Sequence, residues 1–215
     1  MKIDIKKFAF QSDKIFDVFS IEEKRLIWDK AERFVFKKGK LIFYEEGIPT
    51  GVFFIESGKA KIFKTGLDTK EQIFYFYKQG DMLGYHALLC NEKYENSCQA
   101  IEDCKVLFIS KTDFDDLLTK LPKLKMQLIQ NMAHEFGVLV NIITIIAQKP
   151  LRERLALYLL ILEERYQKEP NQPTQINLSR EDLANIIGTS RESLGRLLRE
   201  FKDEELIHIE KRAIE

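Results

Sequence analysis

The sequence predicts an α+β protein in which an antiparallel β region is followed by one long helix and then by a helical C-terminal region. Three observations carry this. From Phe34 to about Ser110, short β-branched and aromatic runs are broken by glycine turns, as in KKGK, YEEGIPTG, ESGKAKIF and KQGDMLG, at intervals of about 8 to 12 residues. Between Ile129 and Ile146, apolar residues recur every three or four positions. Between Ser179 and Asp203, two short amphipathic stretches flank a single glycine. The expected division is a β domain over 1–120, a long helix over 121–149 and a helical domain over 150–215.

The 215 residues carry 34 Lys+Arg against 34 Asp+Glu, a formal net charge of zero. That balance excludes nucleic-acid binding by bulk charge and a strongly acidic disordered tail. With 45% hydrophobic residues, 10 Gly and 5 Pro, the chain has the composition of an ordinary folded protein, long enough to bury a core without disulfides or metal. Cys90, Cys98 and Cys104 form neither an even set nor a CxxC pair, which argues against a disulfide framework and a zinc knuckle and for a reducing, cytoplasmic compartment. The N-terminus mixes charges with apolar residues, unlike a signal peptide. The most apolar stretch, Val138 to Ala147, is about half a membrane span, so no membrane segment is expected.

Residues from about Ile15 to Arg33 have helical spacing, with Phe16, Phe19, Leu26, Ile27 and Trp28 among charges. In the β region, Ala60, Ile62, Ile73, Phe74, Phe76, Val106 and Phe108 fit strands of an antiparallel sandwich or barrel with one buried face. Thr112 to Leu118 reads as a short helix, and Pro122 sits where a helix needs no backbone donor. Ile129, Met132, Phe136, Leu139, Ile143 and Ile146 are then spaced 3, 4, 3, 4 and 3. An average of 3.5 is the period of a coiled-coil seam, and the simplest partner for one such helix is a second copy of the chain, giving a homodimer. Packing of the helix on its own β domain is the alternative, with Leu128, Val140, Ile142 and Ile145 as a second apolar face. Pro150 ends the helix, Leu151 to Tyr166 is amphipathic again, and the turn-rich KEPNQPTQ at 168–175 separates it from the final helical pair.

Ser179, followed three residues later by Asp182, resembles a capping box that opens a helix with Leu183, Ile186 and Ile187 inward. Gly188 supplies a left-handed turn, and Ser190 caps a second helix with Leu194, Leu197, Leu198 and Phe201 inward. This is a helix-turn-helix, and EELIHIEKRAIE after it reads as a two-stranded wing. Long hydrogen-bonding side chains stand on the exposed first turns of the second helix: Arg191, Glu192 and Arg196. Arginine can donate to both O6 and N7 of guanine, and glutamate can accept from the cytosine amino group. Ser193 and Arg199 are placed for contacts to phosphate, and the capping residues Ser190 and Ser179 are counted with them as DNA-binding. The partner expected is double-stranded DNA, although the same face also fits a solvated helix stabilised by Glu192 and Arg196.

With these residues in view, the chain resembles bacterial transcription regulators of the cyclic AMP receptor protein and FNR (CRP/FNR) family over essentially its whole length. TSRESLGRLL is very similar to that family's recognition-helix motif. The resemblance implies a jelly-roll effector domain, a central dimerisation helix, a winged helix-turn-helix, contact with RNA polymerase, and an inverted-repeat operator of TGTGA type read by Arg191, Glu192 and Arg196. It implies no enzyme, a reading reinforced by His86 being the β region's one histidine, with no set able to close a cupin-type metal site. An effector-binding or scaffold protein that does not read sequence is the rival reading.

The resemblance also places an effector pocket at Gly84, Tyr85, His86 and Tyr94, with Leu139 and Val140 where the family contacts adenine. Here Tyr85 stands in place of a ribose-binding glutamate, and Tyr94 with Glu95 in place of an Arg-Ser pair. Lys93 is flanked closely by Glu92 and Glu95, which opposes a phosphate. Cyclic AMP is therefore not the expected effector. The N-terminus lacks the cysteines of an FNR-type iron-sulfur centre, and three thiols in all are too few for a four-thiolate cluster. Haem through His86 or His134, a redox pair of Cys90 and Cys98, a small apolar metabolite, or no ligand remain open.

Overall fold

In the computed structural model, residues 4–66, 68–167, 174–211 and 213–215 are described. Residues 168–173, most of the turn-rich segment expected at 168–175, lie outside them. The chain forms two compact units, Phe10–Phe136 and Gly137–Glu215, the latter joined by the N-terminal residues up to Ala9.

In the first unit the helix expected over Ile15 to Arg33 is shorter. A 3-10 turn at Ser12–Lys14 precedes α1 (Ile21–Trp28), and β1 (Glu32–Phe36) already contains Arg33. Ser20 sets the start of α1: its hydroxyl accepts from the Glu23 amide while the Glu23 carboxylate accepts from the Ser20 amide. The β region then runs β2 (Leu41–Phe43), β3 (Gly51–Ser57), β4 (Ala60–Thr65), β5 (Glu71–Tyr77) and β6 (Met82–Leu83). A helix that the periodicity did not disclose, α2 (Tyr85–Cys90), comes next, and then β7 (Ser97–Ala100) and β8 (Cys104–Ser110). Two antiparallel four-stranded sheets result, in the orders β1-β8-β3-β6 and β2-β7-β4-β5. Strand β3 is buried on both faces from Gly51 to Ile55, which is why GVFFI reads as an unbroken apolar run. A bulge between Ile62 and Phe63 shifts the register of β4 on β5, and beyond it Tyr75, with Phe10 stacked on it, Phe76 and Tyr77 are all buried, so the simple alternation expected there fails.

Ser110 caps α3 (Lys111–Lys120), and Pro122 is the first residue of α4 (Pro122–Gln148). Leu117, Leu124 and Leu128 join Val52, Phe54, Met82 and Ile109 in one core cluster, so α3 and the first half of α4 cover the outer face of β3.

The second unit contains the end of α4, then α5 (Leu151–Tyr166), α6 (Arg180–Ile187), α7 (Arg191–Asp203), β9 (Ile209–Glu210) and β10 (Ala213–Ile214). Pro150 separates α4 from α5 as its spacing required. Leu155, Leu159, Leu162, Leu183, Ile187, Leu194, Leu198 and Phe201 are buried. The two wing strands pair antiparallel, turn at Lys211 with φ 54°, and gain a third rung from Ile176, which exchanges backbone hydrogen bonds with Ile214 at 2.8 and 3.2 Å.

Candidate functional site

The helix-turn-helix is built from local signals. The Ser179 hydroxyl accepts from the Asp182 amide at 2.9 Å and donates to the Asp182 carboxylate at 2.6 Å. Gly188, at φ 69° and ψ 52°, ends α6 in the left-handed region, where a Cβ would be strained. The Ser190 hydroxyl accepts from the Ser193 amide at 3.2 Å and so opens α7. The inward row Leu194, Leu198 and Phe201 forces Arg191, Glu192, Arg196 and Arg199 outward, and all four are exposed; Leu197 is half-buried. Arg191 lies 3.7 Å from Glu181 of α6, Arg196 donates to Ser193 at 3.4 Å, and Arg199 donates to the Gly195 carbonyl at 3.2 Å. These contacts are long or exposed, so the arginines can exchange them for base edges or phosphates at little cost.

Behind this surface the first turn of α5 carries two arginines. The Arg152 guanidinium lies 4.8 Å from the Phe201 ring centroid, 3.5 Å from Glu200 and in contact with Glu204. Acidic residues just past the recognition face are thereby partly neutralised. Eleven basic against thirteen acidic residues from Pro150 onward leave little bulk attraction for a polyanion.

The long helix presents an exposed apolar row, a buried row and a half-buried strip between them. The predicted seam is divided among them: Ile129, Phe136 and Ile143 are 60, 70 and 64% exposed, Met132 packs against the β core, and Leu139 and Ile146 are half-buried. Met126, Ile129, Ala133, Phe136, Val140 and Ile143 form the exposed row at spacings of 3, 4, 3, 4 and 3, so Val140 belongs here and not on the buried face. Leu124, Leu128, Asn131, Glu135, Val138 and Ile142 form a buried row at the same heptad spacing. The helix is long and apolar enough to cross a membrane by length and composition, in contrast to the shorter stretch counted in the sequence, yet its buried row carries a carboxylate and an amide.

Those two polar residues meet the cassette helix. The Asn131 amide donates to the Tyr85 hydroxyl at 2.6 Å and to Glu135 Oε1 at 2.9 Å, and the Tyr85 hydroxyl donates to Glu135 Oε2 at 2.9 Å. His86 Nε2 lies 2.6 Å from the same Oε2, with the imidazole partly exposed and the carboxylate nearly buried. Burial, then the neighbouring Glu135 charge, push the Tyr85 hydroxyl well above the usual phenol range. Gly84 starts α2 at φ 83°; a Cβ there would sit 3.2 Å from Phe53 and 3.4 Å from the Tyr94 hydroxyl. Tyr94 stacks on Phe43 with centroids 4.1 Å apart, and burial pushes its hydroxyl up to about 12. Of the predicted pocket residues, Gly84, Tyr85, His86 and Tyr94 lie in the first unit, while Leu139 and Val140 lie in the second. Asn131 and Glu135 of α4, which apolar counting passed over, make polar contacts with the cassette helix.

Burial pushes the Cys98 thiol up and that of Cys104 up to about 11; Cys90 is exposed, with its thiol raised by desolvation and then by Glu92. Raised thiols are poor nucleophiles, which weakens the pairing of Cys90 and Cys98 as a redox switch.

Comparison with known proteins matches the cyclic nucleotide-binding domain family to residues 33–120 and the Crp-like helix-turn-helix domain family to residues 153–215. The chain is 29% identical over 175 residues to the fumarate and nitrate reduction regulatory protein of Vibrio cholerae, spanning 80% of this chain and 70% of that protein. It is 30% identical over 177 residues to the transcriptional activator protein Anr of Pseudomonas aeruginosa, spanning 81% and 72%. The fold matches the structure of FixK2 from Bradyrhizobium japonicum with a TM-score of 0.77 at 21% identity, covering 86% of this chain and 91% of that one.

Proposed function

The chain belongs to the CRP/FNR family of helix-turn-helix transcription regulators, and we propose that it binds DNA as a homodimer, reading an inverted-repeat operator through Arg191, Glu192 and Arg196. The observation that carries this is the exposure of those three side chains on the first turns of α7 while the opposite face anchors in the core. Arg191 and Arg196 each pair with a guanine, Glu192 accepts from a cytosine, and Ser179, Ser190, Ser193 and Arg199 fix register on phosphate. The exposed row from Met126 to Ile143 packs against its counterpart in a second copy, and each large side chain so buried contributes about 1.5 to 3 kcal/mol. The β domain (1–120) senses, the helix (121–149) dimerises, and the remainder (150–215) binds DNA. By family resemblance the operator-bound dimer contacts RNA polymerase, and it acts in the cytoplasm.

The effector of this reading is not cyclic AMP. Tyr85, at the position where the family's resemblance places a ribose-binding glutamate, is buried with its hydroxyl committed to Asn131 and Glu135, and Tyr94 is committed to an aromatic stack. Haem is disfavoured at His86, whose Nε2 is held by Glu135. Electrophoretic mobility shift with a TGTGA-type inverted repeat against a scrambled duplex, across a salt series, tests the proposal. Tighter binding to the repeat at every salt concentration supports it; equal affinity for both duplexes refutes it and restores the scaffold reading.

A further inference from the structure

The break at Pro150 leaves α4 and α5 joined by no continuous hydrogen-bond ladder, because proline brings no donor. An arginine side chain crosses it. Arg154 Nε donates to the Lys149 carbonyl at 2.8 Å, and Nη1 of the same guanidinium donates to the Ile187 carbonyl at 3.2 Å. Lys149 directly follows the last residue of α4, and its own amide continues that helix by donating to the Ile145 carbonyl at 3.0 Å. Ile187 is the last residue of α6, immediately before the glycine that turns the chain into the recognition helix. Both acceptors are carbonyls that a helix end leaves without an intrahelical partner, and both stand at the negative end of a helix dipole. A planar, permanently charged fork with diverging donors can hold two such ends at once; a lysine ammonium is a single point with no fixed fork.

The other link across the break, Lys149 to Glu153 at 2.9 Å, is exposed on both sides and open to screening by salt. Arg154 is half-buried: its bond to Lys149 is also exposed, while its bond to Ile187 is part-buried. Two residues earlier, Arg152 holds the far half of α7 through Phe201, Glu200 and Glu204. The first turn of α5 thus grips the helix-turn-helix at the end of α6 and at the C-terminal half of α7, and Arg154 holds the end of α4 as well.

We infer that Arg154 is a positioning residue for operator recognition: by tying the end of α4 to the turn before α7, it sets the half-site spacing that two recognition helices can engage together. The inference rests on the dimeric, operator-reading function proposed above. Without the tie each α7 still reads a half-site, while the orientation relative to the dimer helix, and with it simultaneous engagement of two half-sites, is lost.

The experiment measures fluorescence anisotropy of full-length wild type, R154Q and R154K on three probes: the inverted repeat with half-sites one helical turn apart, the same repeat lengthened or shortened by one base pair, and a single half-site. Thermal melting is recorded in parallel. Wild type is expected to prefer one spacing by about tenfold. R154Q should reduce that preference to about twofold with single half-site affinity within about twofold of wild type, and R154K should fall between. A variant that keeps the wild-type spacing ratio, or loses half-site and repeat binding equally in step with its melting temperature, overturns the inference. Should R154Q not fold, R154K decides by the same ratios. Wild type that binds scrambled DNA as well as the repeat overturns the functional reading itself, and this inference with it.

Discussion

The two units place their functional chemistry in opposite ways. In the C-terminal unit, Arg191, Glu192 and Arg196 lie within six consecutive residues, exposed, on a helix whose other face is core. In the N-terminal unit, Tyr85 and His86 meet Asn131 and Glu135 from a helix about fifty residues away, and the carboxylate at their centre is 3% exposed. A surface that reads DNA, as proposed, must be free to trade water for base edges, so its groups stay loosely held; a buried polar cluster holds one arrangement because its groups satisfy one another. Removing a side chain from the first should therefore alter binding and spare stability, and removal from the second should do the reverse.

Replacing Glu135 with Ala should give the largest effect, because it removes together the acceptor of the Tyr85 hydroxyl proton, one of the two acceptors of the Asn131 amide, and the partner of His86. We expect a loss of about 3 kcal/mol in urea unfolding, with E135Q milder. An unchanged unfolding midpoint would show that the buried cluster holds nothing. Replacing Arg196 with Ala should weaken operator binding by about 1 to 3 kcal/mol and relax the preference at one guanine, without moving the unfolding midpoint. Ser190→Ala should cost about 1 kcal/mol of stability through the lost cap of α7, an effect on both properties that marks where folding and reading share a residue. The smallest effect is expected of Arg199→Ala. It should weaken every duplex alike and lower the slope of log affinity against log salt by about one, a change visible in a salt titration even where a single-condition assay shows none.

The contrast also explains what could be seen in advance. The helix-turn-helix was legible because each of its determinants is local: a serine cap, a left-handed glycine, a second serine cap, and apolar residues at helical spacing. The break at Pro150 and the opening of α4 at Pro122 were legible for the same reason. The seam of α4 was only half legible. The exposed and buried rows of this helix have the same 3.5-residue period, and period alone does not say which row faces solvent; that depends on the β core, a tertiary fact. The buried row was legible only through Leu128 and Ile142, because Asn131 and Glu135 interrupt it with polar residues whose partners lie in a six-residue helix too short to show periodicity. The left-handed residues bracketing that helix, Gly84 and Asn91, were the one local trace of it. The neutral net charge argues against binding by bulk attraction and fits the proposed reading, in which few phosphate contacts leave recognition to rest on bases.

A thermodynamic cycle decides whether bases are read. Wild type and R196A are each titrated by anisotropy with the inverted repeat and with a repeat in which one guanine per half-site is replaced, each guanine being replaced in turn. If Arg196 reads a guanine, one replacement costs wild type about 1 to 3 kcal/mol per half-site and costs R196A almost nothing, a coupling confined to that position. Equal penalties for the two proteins at every guanine would mean that α7 does not read sequence through Arg196, and the proposed mode of operator recognition would be wrong.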